Sequence, residues 1–223
     1  MKAMILSAGY GTRLLPYTNK LPKALIKYKG KPMIEHQIER LKNAGISEIV
    51  INAHHFSELI QKHFSDNEFG IKINVIPEKY ILGTGGGIIN AGEYLSDEDY
   101  FMVINVDVDT DMDTDRMILY NLSTEPFATI AVQKRYSKRY LEFDSDMKLI
   151  GREEENSIPK NLFAFNGIHI ISRRIFREVK NAEMSDIISI YLKALKNGEV
   201  IRGYDAGECK FKDLGKKENL FSE

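Results

Sequence analysis

The segment Tyr100-Phe101-Met102-Val103-Ile104 is almost wholly apolar and runs straight into Asn105-Val106-Asp107. Five apolar residues in a row cannot alternate between core and water. A strand here must be covered on both faces, as in the middle of a parallel sheet flanked by helices. The first half of the chain supports that arrangement. Residues 2–7 read as a short buried strand that ends at glycine. Pro32 stands where a first helical residue would, Ile34, Ile38 and Leu41 share one helical face, and Gly45 supplies the stop. Residues 48–52 form the next strand, and Ser57 is placed as the N-cap of a helix carrying Leu59, Ile60 and Phe64. Ile71, Ile73 and Val75 alternate as a further strand, and residues 84–95 read as a helix with a glycine-rich start. Strand and helix in that rhythm predict an α/β fold with a doubly wound, mostly parallel, Rossmann-like sheet.

From Phe127 the rhythm changes. Phe127 to Gln133, Tyr140 to Phe143 and Phe163 to Ile171 read as strands, and the turn Asp144-Ser145-Asp146 suggests a small β insertion. Helices near 173–180 and 185–197, short strands and a Lys-rich helix complete the chain. A single domain over 1–223 is expected.

A net charge of -1 offers no basic field for duplex nucleic acid. Cys209 is the lone cysteine, which excludes an intrachain disulfide and a thiolate metal cluster and makes a packed or half-exposed residue the expected role. No window reaches the roughly 20 apolar residues of a membrane helix, and the first residues are too short an apolar run for a signal peptide. A soluble, cytoplasmic chain is expected. The histidines His36, His54, His55, His63 and His169 show no metal-ligand spacing and are expected to pack or to face solvent.

Chemistry is concentrated after two strands. Gly9 and Gly11 let main-chain amides approach phosphate oxygens closely, Arg13 offers a planar fork, and Lys23 adds a compact charge. The spacing is neither the dinucleotide fingerprint nor the lysine-ended P-loop. The glycines alone would equally serve a plain tight turn. Asp107, Asp109, Asp111, Asp113 and Asp115 crowd together after the apolar strand, at the carboxyl end where open α/β sheets bind ligands. An N-cap or a solvated loop accounts for Asp109, Asp113 and Asp115, whereas Asp107, directly at the strand end, reads as functional.

The run from Ala3 through Leu6-Ser7-Ala8-Gly9-Tyr10-Gly11-Thr12-Arg13 to Thr18, followed by Leu21-Pro22-Lys23-Ala24-Leu25 and Gly30-Lys31-Pro32-Met33-Ile34, resembles the signature of sugar-1-phosphate nucleotidyltransferases. The resemblance continues through Gly83-Thr84-Gly85-Gly86-Gly87, Asn105-Val106-Asp107, Phe165-Asn166-Gly167-Ile168 and Asp213-Leu214-Gly215. Within that family it is most similar to the short N-acetylmuramate α-1-phosphate uridylyltransferases. The resemblance implies a nucleotide half over about 1–125 and an acceptor half over about 126–223. It assigns Arg13 and Lys23 as catalytic. It places Leu6, Ala8, Gly9, Gly11, Thr12, Arg13, Lys23, Glu78, Gly83, Thr84, Gly85, Gly86 and Asn105 on the nucleotide. Asp107 and Asp213 would hold Mg²⁺, or Mn²⁺ in its place, and Glu153, Glu154, Lys160, Asn166 and Gly167 would meet the sugar phosphate. The partners implied are an NTP, with UTP first, and a sugar 1-phosphate; neither nucleic acid nor membrane is expected.

The chain departs from that pattern in places. Val106 stands where the family usually has glycine and is expected to narrow the space for nucleotide and metal. Ser7, Tyr10 and Ala24 replace commoner residues, and Glu155 occupies the place of an acceptor-side lysine, leaving Lys160 as the candidate substitute. Two other functions share parts of the pattern. Asp107-Val108-Asp109 also suits a metal-dependent glycosyltransferase, and Val106 a catalytically silent binding subunit. Guanylyl, thymidylyl and cytidylyl transfer would use most of the same motifs.

Overall fold

The computed structural model describes residues 1–153, 161–179 and 181–220. β1 (Lys2–Leu6) opens the chain, and a long loop leads to the paired two-residue strands β2 (Lys27–Tyr28) and β3 (Lys31–Pro32). Then come α1 (Met33–Asn43), β4 (Glu48–Ala53), α2 (Ser57–Ser65), β5 (Lys72–Pro77), α3 (Gly83–Asn90), α4 (Gly92–Leu95) and β6 (Tyr100–Asn105). The second half carries β7 (Val108–Thr110), α5 (Thr114–Thr124), β8 (Ala128–Gln133), β9 (Leu141–Phe143), β10 (Leu149–Arg152) and β11 (Leu162–Ser172). α6 (Ile175–Glu178), α7 (Ile187–Lys196), β12 (Ile201–Asp205), β13 (Phe211–Asp213) and α8 (Lys217–Leu220) complete it.

One sheet runs through both halves in the order β10-β9-β11-β6-β1-β4-β5, with β8 beside β11 and β12 beside β8. β1 lies parallel to β4 and β6, and β4 parallel to β5, while β11 runs antiparallel to both β6 and β8. Successive residues of the inner strands bury on opposite faces, which is why the sequence there is continuously apolar. Ile5, Ile51, Met102 and Ile104 pack with Ile34, Ile38 and Leu41 of α1. Met4, Val50, Phe101 and Val103 pack on the other face with Ile88 and Ile89 of α3 and Tyr191 and Ala194 of α7.

Two local expectations change. Ser57 is the first residue of α2, and the preceding Phe56, in the left-handed region at φ 55, occupies the cap position without a side-chain bond. Val106 is fully buried in the core beneath the sheet, its N–H donating to the Leu6 carbonyl at 3.1 Å. Its branched side chain therefore fills core rather than lining the open carboxyl end of the sheet, where it was expected to narrow the space. Ser7 likewise turns inward, its N–H and hydroxyl donating to the side chain and carbonyl of Asn52 at 2.9 and 2.6 Å.

Candidate active site

Leu6 sits opposite Asn52 on one side and Asn105 on the other, so the carboxyl ends of β1, β4 and β6 are level. The loop after β1 and the aspartate after β6 thus emerge side by side, where ligands bind in open α/β sheets. Gly11 is in the left-handed region at φ 65, and a Cβ there would lie 2.8 Å from the Thr18 methyl and 3.2 Å from Lys23 Cβ. Only glycine lets this loop close against the segment that carries Lys23. The N–H groups of Gly9, Tyr10 and Gly11 donate to no backbone acceptor among the described residues. Tyr10 projects from the loop, edge-on to the rings of His54 and His55 at 5.6 and 5.7 Å.

Asp107 and Asp213 are brought together by a short ladder. β7 pairs antiparallel with β13, Asp213 faces Val108, and the Leu214 N–H donates to the Asp107 carbonyl at 2.8 Å. Four charged groups then close on one another. Lys23 Nζ lies 2.8 Å from Asp107 Oδ2, Arg13 Nη1 lies 3.0 Å from Asp213 Oδ2, and Arg13 Nη2 reaches to 3.9 Å from Asp107. Burial alone would raise the Asp107 pKa, but the charge and hydrogen bond of Lys23, with Arg13 behind them, hold it below the ordinary carboxylate value.

The two carboxylates fit a hard divalent cation that takes one or two protein carboxylates and fills its other positions with phosphate and water. A Cβ placed on Gly215 would lie 2.5 Å from Asp107 Oδ2 and 2.8 Å from Asp213 Oδ1. Both oxygens therefore face one small space, which a glycine leaves open. Among the described residues no third His, Cys, Asp or Glu joins them. The neighbouring aspartates are engaged elsewhere: Asp109 accepts from the Tyr28 hydroxyl at 2.7 Å, Asp111 from the Lys210 N–H at 2.7 Å, and Asp113 caps α5.

Beside this centre opens a cleft of about 1110 Å³ that includes Arg13, Asn105, Asp107, Asp213, Asn166 and Gly167 in its lining. Gly167, at φ 73, is irreplaceable by space as well, since a Cβ would meet the Asn105 amide at 2.6 Å. Arg135, Lys138, Arg139, Lys216 and Lys217 also line the cleft. Nothing local in the sequence marks these cations as cleft residues. Gly215 was visible only as the end of a motif. Glu153 is exposed at the end of β10, while Glu154 and Lys160 lie outside the described residues.

The glycines of segment 83–86 pack closely against a distant part of the chain. Cβ atoms on Gly83, Gly85 and Gly86 would strike Ser185 O, Ile190 with Ser185 Oγ, and Glu183 O respectively. Close packing against 183–186 consumes the freedom that the glycines provide. Thr84 serves the same junction, its hydroxyl accepting from the Ile187 N–H at 2.9 Å. Glu78 is buried rather than exposed, and its two oxygens accept from Asn52 Nδ2 at 2.7 Å and the Leu82 N–H at 3.2 Å.

Comparison with known proteins settles the family. The description of the Nucleotidyl transferase family matches residues 2–223. This chain belongs to the nucleotidyl transferase family. A mannose-1-phosphate guanylyltransferase catalytic subunit beta from Danio rerio is 39% identical over 137 residues, which is 60% of this chain and 38% of that protein. The match thus spans well under half of the curated relative. HddC from Yersinia pseudotuberculosis, complexed with GMP-PN, superposes with a TM-score of 0.79 at 24% identity, covering 99% of this chain and 96% of that one. The inositol-1-phosphate CTP transferase from T. maritima gives a TM-score of 0.81 at 18% identity, with 99% and 91% covered. Those structures establish the α/β fold of this nucleotidyl transferase family member. Among the described residues, no helix is long and apolar enough to cross a membrane.

Proposed function

We propose that this chain transfers a nucleoside monophosphate from an NTP to a sugar 1-phosphate, forming a nucleotide sugar and releasing pyrophosphate. The observation that carries the proposal is the meeting of Arg13 and Lys23 with Asp107 and Asp213 at the mouth of the glycine loop, beside a cleft large enough for a sugar phosphate. A glycosyltransferase handles no triphosphate and does not need the glycine loop that carries Arg13 or the Lys23 that follows it.

An oxygen of the acceptor phosphate attacks the α-phosphorus of the NTP in line, and the bond to the bridging oxygen of pyrophosphate breaks. The protein contributes position and charge rather than a covalent intermediate. Lys23 turns from Asp107 to the α-phosphoryl oxygens, where negative charge accumulates, and Arg13 turns from Asp213 to the departing pyrophosphate. Free amides of Gly9 to Gly11 supply further donors. Asp107 and Asp213 would hold a divalent cation, Mg²⁺ or Mn²⁺, which supplies Lewis-acid charge neutralisation at the phosphates. The cations Lys138, Arg139, Lys216 and Lys217, which make no ion pair among the described residues, are placed to receive acceptor phosphate in the role first given to Lys160. Glu153, Asn166 and Gly167 form the sugar side.

For the base and sugar, the motif resemblance favours UTP with N-acetylmuramate 1-phosphate, whereas the curated relative is a mannose-1-phosphate guanylyltransferase. The separating experiment is a matrix of UTP, GTP, CTP and dTTP against N-acetylmuramate, mannose and glucose 1-phosphates with Mg²⁺. Pyrophosphate release in at least one cell supports the proposal. Cleavage of nucleotide sugars without pyrophosphate release in any cell contradicts it.

A further inference from the structure

Arg135 follows β8 and reaches across β11 into the wall of the cleft. Its Nε donates to Asn166 Oδ1 at 3.0 Å, its Nη2 donates to the Phe165 carbonyl at 2.8 Å, and its guanidinium lies 4.0 Å from the centre of the Phe211 ring. A guanidinium has donors and no acceptor, so the atom facing it must be the amide oxygen of Asn166. That contact settles which way the amide points. The amide nitrogen, Nδ2, is then left buried with no hydrogen-bond partner among the described residues, on a side chain that is only 2% exposed and lines the cleft. Buried donors are ordinarily paired, so an orphan at a ligand cleft calls for an explanation.

The backbone shows how the side chain came to face this way. The pairing of β11 with β8 shifts register between Phe165 and His169, and Gly167 in that stretch has φ 73. A bulge of this kind re-aims a side chain next to a site. Phe211 and Asp213 alternate along β13, so they share a face, and the stack on Phe211 ties Arg135 to the strand that carries Asp213.

We propose that Arg135 is a positioning residue that locks Asn166 with its amide N–H presented to the acceptor, so the acceptor must place a hydrogen-bond-accepting sugar oxygen there. The inference rests on the proposed nucleotidyl transfer for the identity of the acceptor. It adds a polarity to the sugar site: Asn166 donates and does not accept.

The test uses Asn166→Asp, Asn166→Leu, Arg135→Gln and Arg135→Lys in the full chain, each checked for an unchanged melting transition. With the active NTP and sugar 1-phosphate pair, Asn166→Asp and Asn166→Leu should each raise the acceptor KM about tenfold or more, with the NTP KM within about twofold. Arg135→Gln should raise the acceptor KM similarly with little change in kcat, and Arg135→Lys should recover part of the loss. The double variant Arg135→Gln/Asn166→Leu should be no worse than Asn166→Leu alone. Calorimetric titration of N-acetylmuramate, mannose and glucose 1-phosphates into the wild type and Asn166→Leu repeats the comparison without turnover. A wild type that binds one of them about tenfold more tightly than Asn166→Leu but forms no pyrophosphate would uphold the inference and remove the proposed function. Unchanged acceptor KM and affinity in both Asn166 variants, or an Arg135→Gln effect equally large on the NTP KM, overturns the inference.

Discussion

Replacing Lys23 by methionine probes the charge network most deeply. Lys23 Nζ is 2.8 Å from Asp107 Oδ2, and the two side chains are only 15% and 10% exposed. At that distance and an effective dielectric of about 20, the attraction is about 6 kcal/mol before the cost of desolvating both groups. Removing one partner of such a pair leaves an uncompensated charge and typically costs about 3–5 kcal/mol. Arg13, at 3.9 Å from Asp107, compensates in part, so the lower end is expected. Lys23→Met should therefore lower unfolding free energy in urea by about 3 kcal/mol in metal-free, nucleotide-free buffer. If Asp107 holds the proposed cation, Lys23 competes with it for the same carboxylate, and Mg²⁺ or Mn²⁺ should restore stability to the variant far more than it raises that of the wild type. Turnover should meanwhile fall about 10²–10³-fold, since charge at the phosphoryl group is lost. A variant as stable as the wild type without metal, or equal metal stabilisation of both proteins, refutes the reasoning.

Gly215→Ala puts a methyl group 2.5 Å from one carboxylate oxygen and 2.8 Å from the other; turnover should fall by more than about 10²-fold at all NTP concentrations tested, and near-normal turnover would show that the space between the carboxylates is unused. Val106→Gly should cost about 2–4 kcal/mol in urea unfolding without tightening NTP binding, because Val106 fills core rather than the site; a gain in NTP affinity would return the side chain to the nucleotide. His169 is wholly buried, and burial lowers its pKa to about 3. With the folded value below the unfolded one, its stabilisation is complete above about pH 6.5 and drains away as pH falls, by about 2–3 kcal/mol between about pH 6.5 and about pH 4.5. Denaturant titrations of the wild type and His169→Gln across that window should show the slope flattened in the variant, and parallel slopes would exclude His169 as the titrating group.

The strand-helix rhythm of the first half was legible because each inner strand buries both faces, which leaves an uninterrupted apolar run such as residues 100–104. Arg13, Lys23 and Asp107 were legible because they sit next to a glycine loop or a strand end. What escaped depends on partners distant in sequence. The burial of Val106 is set by the bond to the Leu6 carbonyl and the cover of α1, neither visible locally. The close approach of 183–186 to the glycines of 83–86 could not be read from the glycines themselves. The partners of Arg135 lie on β11 and β13. A lone arginine after a strand gave no hint of them.

The central claim is that Asp107, Asp213, Arg13 and Lys23 form one nucleotidyl transfer centre. Its most direct test is pyrophosphate release from the matrix of NTPs and sugar 1-phosphates by the wild type, Asp107→Asn and Asp213→Asn, with folding verified for each. Release by the wild type and a loss of at least about 10²-fold in both variants is the result expected. Release that persists in either variant, or none by a folded wild type in any cell of the matrix, contradicts the claim.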